Sequence, residues 1–127
     1  MNPYHLFSHL IQTKKKTKLI NKRLQSAEYR AKTKNIKFNL TFKDILDKLA
    51  QQNGRCYFTN EPLSFNKKDP NVISFDRGIP IKGYSKENLN LVTALVNKTK
   101  SDTPTDEFIK LCGKIYNNRK NIKYPNS

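Results

Sequence analysis

The rhythm of apolar and polar positions changes several times along the chain, and each change marks an element. From Tyr4 to Lys34 no Gly or Pro intervenes, and Leu6, Leu10, Leu24 and Tyr29 recur loosely among Lys and Arg. That stretch predicts a basic helix, with a break near Thr13–Thr17 left open. Phe38 and Leu40 then alternate as a short strand. Thr41 stands three residues before Asp44, an acidic variant of the capping box, so a second helix starts there. Ile45, Leu46 and Leu49 supply its apolar face, and Gly54 is the stop.

The segment RCYFTNEPLSF (55–65) reads as a strand, a turn at Asn60-Glu61-Pro62 and a returning strand. After a polar loop, VISF is a β-branched and aromatic strand that delivers Asp76 at its end. Gly78, Pro80 and Gly83 punctuate the next loop, NLNLV alternates as a second strand, and from Thr93 the pattern turns helical. A last helix is expected with Thr103 as N-cap, Pro104 at the first position and Asp106 at the third. Phe108, Ile109, Leu111, Cys112 and Ile115 would be its buried face. The expected organisation is a basic helical arm (1–36), an α+β core (37–118) and a loose tail (119–127).

Composition narrows the class of partner. The chain of 127 residues fits one domain, and 35% hydrophobic residues without Trp allow only a modest core. Lys and Arg number 25 against 10 acids, a net charge of +15, which favours a polyanionic partner. The first 40 residues hold ten bases and only Glu28 as an acid. Along such a helix Lys14, Lys15, Lys16, Lys18, Lys22, Arg23 and Arg30 are the expected contacts to a phosphate backbone. No run approaches the roughly 18 apolar residues of a membrane span. The N-terminus lacks the apolar core of a signal peptide, and the positive segment lacks the strongly amphipathic face of a membrane-surface helix. Nucleic acid is therefore the expected partner, DNA ahead of RNA, with no membrane; monomer and homodimer both stay open.

Cys56 and Cys112 make no disulfide framework and read as buried thiols in a reducing compartment. Abundant Lys, Asn and Ile with scarce Gly and Ala suggest an AT-rich genome. The expected location is the cytoplasm of a bacterial or phage-infected cell, in association with the nucleoid, or an organelle matrix. His5 and His9 share an i, i+4 face, a zinc spacing without a third ligand, and read as plain exposed residues.

The order strand, loop, strand, helix can bring Asp76 and Asn97 to one point. One carboxylate and one carboxamide oxygen suit a hard divalent cation, which keeps several waters and takes a phosphate oxygen. At these residues the chain resembles the HNH, or ββα-metal, endonuclease superfamily. The family pairs Asp-His on a first strand with Asn-Leu on a second, a metal-ligating His or Asn nine residues later, and a Lys three further on. Here Asn88-Leu89, Asn97 and Lys100 keep that spacing. The likeness is greatest to a phage and bacterial variety with the pattern Ser-x-Asp-Arg, Gly-Tyr, Asn, Asn-x-x-Lys, matched by Ser74-Phe75-Asp76-Arg77, Gly83-Tyr84, Asn88, Asn97 and Lys100. It spans roughly residues 22–112.

The resemblance implies a small ββα-metal core, one Mg²⁺ or Mn²⁺ per chain held by Asp76 and Asn97, and Asn88 bracing the loop between the strands. Arg77 replaces the histidine that serves the family as general base. A guanidinium cannot take a proton, but it can clamp a phosphate and stabilise charge in the transition state. The proton would go to bulk water, a metal-bound hydroxide, or one of Tyr84, Glu87, His5 and His9. Tyr84 and Lys100 join Arg77 as expected nucleic-acid contacts. The structural zinc of many relatives is not expected, because the two Cys-x-x-Cys pairs fall at Cys56, Thr59, Thr93 and Val96, a single thiol. An acid expected in close relatives is replaced by Ile79. The expected activity is phosphodiester hydrolysis; the alternative is a non-catalytic nucleic-acid binder on a decayed nuclease core, an architectural DNA binder or a ribonucleoprotein component.

Overall fold

A computed structural model describes the backbone of residues 3–124 and the side chains of residues 13–124. Helix α1 (Pro3–Lys34) runs unbroken through Thr13–Thr17, where the Thr17 hydroxyl donates to the Thr13 carbonyl and keeps its polarity inside the helix. At 1.5 Å per residue α1 is about 48 Å long. Ile20, Ala27 and Ala31 are its buried positions among the described side chains, so the stretch from Ile20 onward lies on the core. The two alanines let the helix axis approach closely. Asn35, at φ 53°, ends it: Ile36 N–H donates to Ala31 O and Asn35 N–H to Lys32 O, the Schellman arrangement.

Strand β1 (Phe38–Asn39) pairs in parallel with β3 (Tyr84–Ser85). The pairing requires Gly83, whose φ is +77° and whose added Cβ would press on the Lys37 carbonyl oxygen and backbone nitrogen. Both atoms are backbone and cannot swing aside. Gly83→Ala is expected to cost on the order of 2–4 kcal/mol in urea unfolding; a loss under about 1 kcal/mol would contradict the close approach.

Helix α2 (Phe42–Gln51) begins with the expected capping box. Thr41 Oγ1 accepts from Asp44 N–H at 3.2 Å, and Asp44 accepts from Thr41 N–H at 3.0 Å. Ile45 is fully buried, Leu49 is half-buried and Leu46 is exposed. Past the helix, the Gln52 side chain bonds both the carbonyl and the amide of Leu91, pinning the end of α2 to the central hairpin.

The expected hairpin over 55–65 does not form. Arg55 and Pro62 make a single bridge, and Ser64 makes another with Val72. The chain instead turns tightly, Asn60 N–H to Cys56 O and Cys56 N–H to Glu61 O, while Tyr57 N–H goes to Leu91 O. Pro62, which lacks an N–H, could not extend a ladder in any case.

The centre of the fold is an antiparallel pair, β2 (Ile73–Arg77) with β4 (Leu89–Thr93), in register from Ile73 opposite Thr93 to Arg77 opposite Leu89. Ile73, Phe75, Leu89, Leu91 and Val92 from these strands form the centre of the core with Ile45. Thr93 caps α3 (Ala94–Lys100) by accepting from Val96 N–H, so the second strand passes directly into a helix that packs on β2.

Helix α4 (Thr105–Asn117) departs from expectation twice. Pro104 is its cap residue rather than its first helical residue, and Thr103 makes no side-chain cap; Thr105 instead bonds the Gly78 carbonyl through both N–H and hydroxyl. No α4 residue is buried, and Cys112 is an exposed thiol while Cys56 is buried. Beyond Thr105, Phe108 reaches the body of the protein, edge-on against Phe58 at 5.7 Å. The first turn anchors α4 and the core offers nothing for the rest of its apolar face. A 3₁₀ turn, Arg119–Asn121, follows; the end of the expected tail, 125–127, lies outside the described residues. The architecture is a small α+β fold, and no helix among the described residues is long and apolar enough to cross a membrane.

Candidate functional site

Alternation along β2 puts Ser74 and Asp76 on the face that meets α3. Asn97 and Lys100, three residues apart on α3, share the helix face opposite them. Asn97 Nδ2 donates to Ser74 Oγ at 2.7 Å and to the Phe75 carbonyl at 3.1 Å. A carbonyl can only accept, so the nitrogen end is assigned there and Oδ1 remains an acceptor.

Asp76 and Lys100 form a buried ion pair, 1% and 0% exposed, at 2.8 Å. Lys100 Nζ also donates to the Arg77 carbonyl at 3.2 Å, and Asn90 reaches the second carboxylate oxygen at 3.4 Å. Lys100 therefore does not face a phosphate, as its spacing suggested; packing of α3 on β2 turns it inward. A pair this buried gains little over apolar packing, but losing one member leaves an unpaired charge.

Arg77 ends β2. Its guanidinium lies 5.3 Å over the Tyr84 ring, donates to the Pro80 carbonyl at 3.1 Å, and pairs with Asp102 at 2.7 Å. Tyr84 is buried beneath it, so this ring orients Arg77 instead of serving as the expected nucleic-acid contact. Asp102 also meets Lys34 of α1 at 3.4 Å, joining the loop after α3 to the end of α1. Asn88 ties the 78–83 loop: its amide nitrogen donates to the Ile79 and Gly83 carbonyls and its oxygen accepts from Ile79 N–H. These are all backbone partners, so Asn88 positions the loop that carries Arg77's neighbours.

Asp76, Arg77 and Asn97 line one open polar cleft of about 410 Å³, with Arg30, Lys34, Lys98 and Asp102 around it. Lys14, Lys15, Lys16, Lys18 and Lys22 are exposed on α1, so a positive ridge that winds around the helix runs about 24 Å from Lys14 to Arg30. Arg23 is half-buried on that ridge. Burial, and then the nearby Arg30 charge, lower its pKa, and its Nε has no hydrogen-bond partner. The adjoining gap of about 10 Å³ takes roughly one water.

Three charged members of the cleft, Lys34, Lys98 and Asp102, escaped the sequence reading. Lys34 was legible as the continuation of Arg30 at i+4; Asp102 carried no signal, because only its contacts across the fold single it out. Of the expected proton acceptors, Glu87 does not line the cleft and Tyr84 is buried. The side chains of His5 and His9 lie outside the described residues. Asp102 and Asp76 are the carboxylates that line it.

The donor set fits a hard cation in kind: the Asp76 carboxylate and Asn97 Oδ1 are oxygen ligands, and Mg²⁺ needs few from protein. Lys100 and Arg77 stand beside that carboxylate, so affinity would depend on a substrate phosphate. At the position of a zinc-type pair, Thr59 hydrogen-bonds the Cys56 thiol. Burial pushes that thiol up, but bonds with Thr59 and with the backbone of Thr59, Thr93 and Phe58 bring it below its ordinary value.

No family model, no curated protein and no solved structure matches this chain.

Proposed function

We propose that the chain is a metal-dependent endonuclease of the HNH, ββα-metal kind, acting on DNA ahead of RNA. The observation that supports this reading is the convergence of Asp76, Arg77 and Asn97 on one cleft bordered by Arg30 and Lys34 of the basic helix. The ridge on α1 tracks the phosphate backbone and makes binding salt-sensitive. Arg77 exchanges Asp102 for the two non-bridging oxygens of the scissile phosphate, which its planar fork binds together as their charge grows. Asn97 Oδ1 and Asp76 would hold a divalent cation, whose chemistry there would be to polarise the phosphate and stabilise the leaving oxygen. Asp102, which lines the cleft and keeps its contact with Lys34, is the candidate acceptor for a proton from the attacking water. Asn88 and Tyr84 keep Arg77 aimed.

A second reading, binding without cleavage, is favoured by one observation: Lys100 already neutralises the Asp76 carboxylate. Supercoiled plasmid separates the two. With Mg²⁺ or Mn²⁺ the protein is expected to produce nicked circles, none with EDTA, and none with Asn97→Ala. Plasmid that is fully bound yet intact with either metal would defeat the enzyme reading and leave the binder. A single-stranded RNA substrate run in parallel tests the preference for DNA.

A further inference from the structure

Helix α4 carries an apolar face that the described chain leaves open. Phe108, Leu111 and Ile115 recur at i, i+3 and i+7, with Cys112 beside them, while Asp106, Lys110, Gly113 and Asn117 take the other side. Phe108 is partly covered by Phe58, but Leu111 and Ile115 are 52% and 55% exposed. One exposed leucine means nothing. A row aligned along one helix face marks an interaction surface.

We infer that this face pairs with the same face of a second copy of the chain, the two α4 helices lying antiparallel about a two-fold axis near Leu111. The charges that flank the row select the occupant and the direction. With Phe108, Leu111 and Ile115 as heptad positions a, d and a, Glu107 and Lys114 are successive g positions. In an antiparallel pair, g positions face g positions, so Glu107 of each copy meets Lys114 of the other. A parallel pair would set g against e: Glu107 would face Cys112, and Lys114 would face Arg119, a like charge. The antiparallel arrangement also opposes the helix dipoles favourably and brings the acidic first turn toward the basic end. A partner of unrelated sequence would not need this self-complementarity.

Size and net charge set the strength. Two 13-residue helices meet over about 20 Å. That contact buries less than the roughly 1,200 Å² of a stable specific interface. Each copy also carries +15, so the dimer is weak and strengthens as salt screens the repulsion. Bridging of two copies by residual nucleic acid has the opposite salt dependence. The pairing brings two clefts into one assembly, and it stands whether or not the clefts cleave.

Sedimentation equilibrium of the full chain, freed of nucleic acid, tests it over a wide concentration range at low and moderate salt. A monomer–dimer equilibrium that strengthens with salt is expected, and Leu111→Glu with Ile115→Glu leaves only monomer. Glu107→Lys weakens association roughly tenfold, and adding Lys114→Glu restores it. Restoration by the double swap is a result that a damaged fold could not give, and circular dichroism checks the fold of each variant. A monomer at every concentration and salt overturns the inference. So does a dimer indifferent to the two glutamates, or a double swap that fails to restore.

Discussion

Asp76→Ala is expected to lower the stability of the fold by about 3–5 kcal/mol in urea unfolding, and Lys100→Ala by a similar amount. The two side chains are 1% and 0% exposed and 2.8 Å apart. Removing the carboxylate leaves a buried ammonium with the Arg77 carbonyl as its remaining hydrogen-bond partner. Removing the ammonium leaves a carboxylate with the long contact from Asn90 as its remaining side-chain partner. Asp76→Leu combined with Lys100→Met removes both desolvation costs, so the double variant should lose less than either single one. Single variants that each cost under about 1 kcal/mol would show that water reaches the pair. The result bears on any activity assay. An Asp76 variant without cleavage cannot distinguish a lost ligand from a lost fold. Asn97→Ala, which removes two hydrogen bonds and no buried charge, is the cleaner probe of the proposed metal site.

Arg77→Ala is expected to reduce plasmid cleavage by roughly 10²–10³-fold, the usual effect of removing one preorganised donor from a developing oxyanion. Arg77→Lys should recover only part of this, because a point charge cannot match the two-oxygen geometry of a guanidinium. Stability should fall less than for Asp76→Ala: the Arg77 side chain is 11% exposed and loses the Pro80 carbonyl and the Tyr84 ring, but its acidic partner Asp102 is 62% exposed and leaves no buried charge behind. The measurement is the initial rate of nicking at saturating protein, with urea unfolding of the same variants. Cleavage by Arg77→Ala at the unaltered rate would remove Arg77 from the reaction. Unequal loss, with Lys well above Ala, would tie the residue to phosphate rather than to the loop.

The candidate site was partly legible because two kinds of local rule met there. Strand alternation put Ser74 and Asp76 on one side of β2, and helical spacing put Asn97 and Lys100 on one side of α3. The resemblance named the same residues. Neither rule says what the shared face meets. Lys100 at a helix end looks like a phosphate contact until α3 packs on β2 and turns it onto Asp76. Tyr84 looks like a nucleic-acid contact until β1 covers it and Arg77 lies over it.

The sequence by itself determined the basic ridge on α1, the Thr41–Asp44 capping box, the β2–β4 pair running into a helix, and the spacing that draws Asp76 and Asn97 together. These follow from interactions within a few residues or from periodicity along one element. Tertiary structure decided the rest: that Lys100 neutralises Asp76, that Asp102 holds Arg77 and Lys34, and that the apolar side of α4 meets solvent. Each of these depends on which face packs against which across some 25 to 70 residues of chain. A one-dimensional pattern shows that a face is apolar or charged; the partner of that face is chosen only when distant elements compete to cover it.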